Sequence, residues 1–169
     1  MNSIYQKTLS KKISFDGIGL HSGLSSKICV IPAEADHGIV FKRVDLNKNN
    51  LIKANFNNVS SARLCTTLKN NKGVKVSTVE HLLAAFYIAG IDNALVEIDN
   101  EEVPILDGSA KQFIEKMLLA GIEVSQSPIK IIKIKKEIKF IDGDRFISIK
   151  PSTLSLDIDF ELKYKNKFI

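Results

Sequence analysis

Three features of the chain predict an α+β fold: short β segments punctuated by glycine, two helices marked by apolar stripes of helical period, and a change to two-residue alternation beyond residue 128. With 169 residues, 44% of them hydrophobic and 25% charged, the composition is that of a soluble globular protein with room for one domain or two small ones.

The first β segment runs from Thr8 to Phe15, turns through Asp16-Gly17-Ile18-Gly19, and is followed by Leu24 to Ile31, ending at Pro32. Gly38 to Lys42 reads as another strand. Cys65-Thr66-Thr67-Leu68 and Val74-Lys75-Val76 flank Asn70-Asn71-Lys72-Gly73 as a hairpin, since Asn and Gly tolerate the positive φ of a tight turn. A helix follows at once: Ser77 is placed to cap it, Glu80 stands three residues later at capping-box spacing, and Gly90 supplies the stop. Val79, Leu82, Leu83 and Phe86 form one apolar stripe. His81, Ala84, Ala85 and Ile88 give an opposite side that is small and mostly apolar, so this helix is expected to be covered on both sides.

Ala94 to Ile98 is a short apolar strand, and Val103-Pro104-Ile105-Leu106 is an extended lead into Asp107-Gly108-Ser109-Ala110. Ser109 and Gln112 repeat the capping-box spacing and open a second helix, whose Ala110, Phe113, Ile114, Met117 and Leu118 form a core stripe ended by Gly121. A first α+β domain is thus expected over residues 1–124, with Ser125-Gln126-Ser127-Pro128 as a polar linker. Beyond it Ile132, Ile134, Ile138 and Phe140 alternate with Lys133, Lys135, Glu137 and Lys139. Asp142-Gly143-Asp144 turns the chain, and a return strand covers Phe146 to Ile149. Leu154, Leu156, Ile158, Phe160, Leu162 and Tyr164 then alternate with polar residues. These strands share an apolar face with no helix after them to cover it, so residues 129–169 are expected to open a second α+β domain that is incomplete, and the chain to be a fragment.

Composition excludes several classes. Cys29 and Cys65 lie in unrelated segments and form no Cys-x-x-Cys pair, so neither a disulfide framework nor a cysteine zinc site is indicated. The N-terminus has no apolar signal core, and no apolar run approaches the roughly 18 residues of a membrane span, so a cytoplasmic protein is expected, with peripheral membrane association left open. The net charge of +5 is concentrated at the end: residues 129–169 hold 10 Lys and Arg against 6 Asp and Glu. Such a segment suits a polyanion, an anionic headgroup or a phosphorylated small molecule, or is simply the solvated face of a sheet. No aromatic stacking platform accompanies the lysines, which argues against nucleic acid.

The pair Glu80-His81 carries the chemistry, because a carboxylate beside an imidazole can hold a metal and activate its water. Only three histidines are present, His21, His37 and His81. Glu80 reads equally as the reciprocal half of the Ser77 capping box, and His81 as an ordinary surface or satisfied histidine, since adjacent helical side chains point about 100° apart. Gly17-Ile18-Gly19-Leu20-His21-Ser22-Gly23 has the look of a phosphate loop but lacks its lysine and helix, so a tight β connection is the reading.

Five segments in order, namely Gly17 to Gly23, Leu64-Cys65-Thr66-Thr67-Leu68, Val76-Ser77-Thr78-Val79-Glu80-His81-Leu82, Gly90-Ile91-Asp92-Asn93 and Val103 to Ala110, together closely resemble the zinc-dependent UDP-3-O-acyl-N-acetylglucosamine deacetylases of lipid A biosynthesis. The resemblance covers essentially the whole chain. It implies two similar α+β domains of mostly antiparallel sheets with helices on one face, the helical layers packed together. It implies a hydrolase that removes acetate from a UDP-linked acylated glucosamine. By the same resemblance His81 matches a ligand of Zn²⁺, Glu80 the general base, and Leu64, Cys65 and Thr66 a segment lining the substrate cleft. Arg145 falls where the family places a basic residue near the nucleotide diphosphate, and Tyr164 where it places an aromatic beside the uracil. The family's other zinc ligands, a His and an Asp, lie in its second domain, as do its proton donor to the leaving amine and a hydroxyl at the oxyanion; none of these has a counterpart here. The rival expectation is a non-catalytic binding module that kept the fold without its metal half.

Overall fold

A computed structural model describes residues 5–153 and 157–162. The chain divides into two compact units, Met1–Ile129 and Lys130–Ile169. In the first unit the strands are β1 (Tyr5–Leu9), β2 (Ile13–Ile18), β3 (Ser25–Pro32), β4 (Ile39–Arg43), β5 (Leu51–Lys53), β6 (Val59–Ser61), β7 (Thr67–Lys69) and β8 (Lys75–Val76). Helix α1 (Glu80–Ala89), β9 (Ala94–Ile98), α2 (Lys111–Ala120) and β10 (Ile122–Pro128) complete it. The architecture is mixed α and β, with several mostly antiparallel sheets and two α-helices among the described residues.

The central sheet has the order β2-β3-β9-β4-β5, antiparallel except for the parallel pair β4 and β9. Period-two alternation places Ile13, Phe15, Ile28, Val30, Phe41, Ile52, Val96 and Ile98 on one face, all buried. They form a single core cluster with Leu82, Ala85 and Phe86 of α1 and Phe113, Met117 and Ala120 of α2. Phe15 and Phe113 meet edge to face at 4.9 Å, which joins α2 to the first strand of the sheet.

Several expected boundaries shift. The segment Thr8–Phe15 is two strands, because β1 leaves the central sheet to pair with β10. That pairing also replaces the expected linker: Ser125 to Pro128 belong to β10, in which Pro128 faces Tyr5 while Val124, Glu123 and Ile122 face Lys7, Thr8 and Leu9. Polar side chains at the edge of a ribbon read as a linker while their backbone hydrogen bonds make a strand. The β7–β8 hairpin and β9 match expectation. In the hairpin Asn70 Oδ1 accepts from the N–H groups of Lys72 and Val74, closing the turn.

Neither capping box forms. Helix α1 begins at Glu80 after Val79, with no side-chain cap, and α2 begins at Lys111 after Ala110, also uncapped. Ser77 is instead part of a bridge to residues 101–103, its N–H donating to Glu101 O at 2.8 Å. Ser109 Oγ accepts from the Lys111 N–H at 3.1 Å and donates to Asp107. The C-terminal stop of α1 is as expected: Gly90 takes φ 70° and its N–H closes the last turn. Cover on both sides of α1 is not supplied within this unit, since Ala85 faces the core while Ala84, Tyr87 and Ile88 are exposed.

In the second unit, β11 (Ile138–Asp142) and β12 (Arg145–Ile149) form an antiparallel hairpin about the expected Asp142-Gly143-Asp144 turn. Ile138 and Phe140 share a face with Ile147 and Ile149, all exposed. Residues 157–162 of the next expected strand are not in a strand, and the rest of that strand, with Tyr164, lies outside the described residues.

Candidate active site

The polypeptide on either side of the hairpin β7–β8 brings two of the expected site residues, Thr66 and Glu80, together. Thr66, just before β7, and Val79, just after β8, meet through the Val79 N–H to Thr66 O bond at 3.4 Å. Thr66 N–H then donates to Glu80 Oε2 at 3.1 Å. The carboxylate that was a candidate helix cap thus reaches out of its helix to the Leu64-Cys65-Thr66 segment. Cys65 and Thr66 are half-buried, and Leu64, at φ 69°, projects a side chain that is 85% exposed. Glu80 and His81 are both half-buried in the first turn of α1.

Behind this first turn sits a residue that the sequence did not single out. Glu102 is 3% exposed, and its carboxylate accepts four contacts. Oε1 takes the His21 N–H at 3.0 Å and the Thr78 hydroxyl at 2.8 Å, and Oε2 takes the Ser22 N–H at 2.8 Å, with the Ser22 side chain beside it. Burial alone would raise its pKa, but these donors outweigh it and hold the carboxyl at about 2. Gly19 is required here, because a Cβ on it would lie 2.4 Å from Glu102 Oε2. The loop Gly17 to Gly23 is therefore a tight β connection, as expected, and the anion its amides hold is the protein's own carboxylate. In the sequence Glu102 sits in Asn100-Glu101-Glu102, which reads as solvated acid; its partners His21 and Ser22 are 81 and 80 residues away and Thr78 is 24 away.

Gly90-Ile91-Asp92-Asn93 has a different task. Asn93 is buried, donating to Gln6 Oε1 and accepting from Gly38 N–H, while Asp92 accepts from Lys7 N–H. The segment anchors β1, and none of these hydrogen bonds reaches Glu80. Arg145 opens β12 opposite Asp142 and is exposed.

The donor set for a metal is incomplete. No group of three or more His, Cys, Asp or Glu side chains gathers among the described residues. His81 makes no side-chain hydrogen bond among them, and His37 Nδ1 lies at Gly38 O instead. A catalytic zinc needs three protein ligands and a structural one four, so the described residues do not by themselves fit the ion. No helix among them is long and apolar enough to cross a membrane.

Residues 6–169 match the family described as LpxC, UDP-3-O-acyl N-acetylglycosamine deacetylase. The chain is 42% identical over 166 residues to the UDP-3-O-acyl-N-acetylglucosamine deacetylase of Haemophilus ducreyi, covering 98% of this chain and 54% of that protein. Its identity is 46% over 160 residues to the Citrifermentans bemidjiense protein of the same name, covering 93% and 52%. With the Pasteurella multocida protein of that name it is 44% over 161 residues, covering 94% and 53%. The chain therefore spans about half the length of the curated relatives it matches. On a match that runs from Gln6 to Ile169, the chain belongs to the UDP-3-O-acyl N-acetylglycosamine deacetylase family.

Proposed function

We propose that this chain is the N-terminal portion of a cytoplasmic, zinc-dependent amidohydrolase that removes the N-acetyl group of UDP-3-O-acyl-N-acetylglucosamine and releases acetate in lipid A biosynthesis. In this reading the whole protein has two similar α+β domains, the second opened by residues 129–169. His81 is one zinc ligand and the remaining donors belong to the part of the protein beyond this chain. Leu64, Cys65 and Thr66 line the substrate cleft, Arg145 meets the diphosphate, and Tyr164 meets the uracil.

The observation that carries the proposal is the state of the Glu80 carboxylate. Oε2 is fixed by the Thr66 N–H, while Oε1 has no hydrogen bond among the described residues. A general base needs one oxygen oriented and one open to accept a proton. As a water oxygen bonds to the acetamide carbon, its proton passes to Glu80 Oε1. The C–N bond then breaks, a proton donor outside this chain protonates the amine, and acetate departs.

The test joins residues 1–169 to the complementary half of the Haemophilus ducreyi relative. Glu80→Gln is expected to keep zinc bound and to lower kcat by about a hundredfold or more, the range for losing a general base. Arg145→Ala is expected to raise KM more than it lowers kcat, because a diphosphate contact remote from the amide serves ground and transition states alike. Undiminished turnover in Glu80→Gln would leave Glu80 as an anchor for the Thr66 segment and favour the non-catalytic module. An unchanged KM would return Arg145 to the solvated surface.

A further inference from the structure

We propose that Glu102 is a positioning residue for Glu80, its buried carboxylate holding Thr78 in the left-handed turn from which helix α1 starts. The inference rests on reading Glu80 as the base, and it adds a residue that never touches the reacting atoms.

Thr78 is the telling feature. It is β-branched, 2% exposed, and has φ 56°, a conformation that such residues adopt only when their surroundings impose it. Two restraints impose it. On the backbone, Ser77 is bridged to residues 101–103, with Ser77 N–H on Glu101 O and Val103 N–H on Ser77 O at 3.1 Å. On the side chain, Thr78 Oγ1 donates to Glu102 Oε1.

The next two residues depend on that turn. Val79 N–H meets Thr66 O, and Glu80 Oε2 meets Thr66 N–H, so a relaxed Thr78 would swing both away from the Thr66 segment. Glu102 is in turn fixed from the far side by the N–H groups of His21 and Ser22, and the lack of a side chain at Gly19 leaves room for its carboxylate against that loop. An ionised carboxylate suits the position because every group facing it is a donor.

Two measurements test this. In residues 1–169, amide and carboxyl NMR shifts of Thr66 and Glu80 are compared between wild type, Glu102→Gln, and Glu102→Gln with Thr78→Gly. In the joined protein, kcat and KM are measured for the same set. Glu102→Gln is expected to displace the Thr66 amide and Glu80 carboxyl resonances while leaving Leu95 to Ile98 in place. It should lower kcat roughly tenfold to a hundredfold, the scale of a misplaced catalytic group, with KM within about twofold. Adding Thr78→Gly should recover most of kcat, because glycine holds a positive φ without a side-chain tether. A purely structural loss would not be rescued by a more flexible residue.

Should Glu102→Gln fail to fold, Thr78→Val removes the same hydrogen bond alone and is expected to give the same Thr66 and Glu80 displacement. Unmoved Thr66 and Glu80 resonances in the folded variant, or wild-type kcat, or failure of Thr78→Gly to rescue, would each overturn the proposal. Absence of acetate release by the joined wild type would instead overturn the deacetylase reading, and the NMR comparison would still decide whether Glu102 positions Glu80.

Discussion

Glu80 and Glu102 lie 22 positions apart in the sequence and meet opposite demands on a carboxylate. Among the described residues Glu80 keeps an oxygen open at a half-buried helix start, whereas Glu102 uses both oxygens inside the protein. For Glu102 the consequence is a linkage to pH. Its folded pKa of about 2 lies below the ordinary 4.5, so its stabilising contribution is complete above 4.5 and is lost as pH falls through 2. The shift corresponds to about 3 kcal/mol, of which about 2 kcal/mol is gone at pH 3. Asp45, held low by the Arg43 side chain, and Asp107, held low by Ser109, act in the same direction. The discriminating measurement is therefore a difference. Urea unfolding should show a smaller loss between pH 7 and pH 3 in Glu102→Gln than in the wild type, and equal losses would contradict the assignment. Glu80 and His81 stand out in the sequence because an adjacent carboxylate and imidazole show in a short motif. Glu102 does not, because only the fold reveals which amides surround it.

At the scale of elements, hydrophobic period located both helices to within a few residues, and an Asn-to-Gly turn located the β7–β8 hairpin. Helix starts were less legible. Ser77 and Ser109 have the residue type and spacing of N-caps, yet Ser77 is drawn into a bridge with Glu102 and Glu80 is drawn to Thr66. A tertiary hydrogen bond won over a local one, and from spacing alone the two look the same. Ser77→Ala is accordingly expected to change stability by less than about 0.5 kcal/mol by chemical denaturation, where a working cap would cost about 1 kcal/mol. A cost of the larger size would restore the capping box. The short strands β5 and β6 escaped notice because three residues carry too little pattern, and β10 because a polar ribbon edge has no apolar alternation to display.

Across the whole molecule, apolar side chains stand open on two helices whose other faces are well packed and on a hairpin whose described residues are all exposed. Tyr87 and Ile88 of α1 and Leu118 and Leu119 of α2 are exposed, Leu119 to 82%. Within the second unit both strands of the hairpin expose Ile and Phe. Isolated exposed residues of this kind are ordinary, but rows of them on consecutive elements ask for cover. The proposed whole protein supplies that cover with the layers of its remaining half, and supplies there the zinc donors that the described residues lack. The central claim is that residues 1–169 contribute one part of a shared metal site, with Glu80 and His81 as that part. Its most direct test is to measure zinc by elemental analysis and acetate release from UDP-3-O-acyl-N-acetylglucosamine, first with residues 1–169 alone and then joined to the complementary half of the Haemophilus ducreyi relative. The account predicts neither stoichiometric zinc nor acetate from the chain alone, and both from the joined protein unless His81 is replaced by alanine. Stoichiometric zinc with deacetylation by residues 1–169 alone would contradict it.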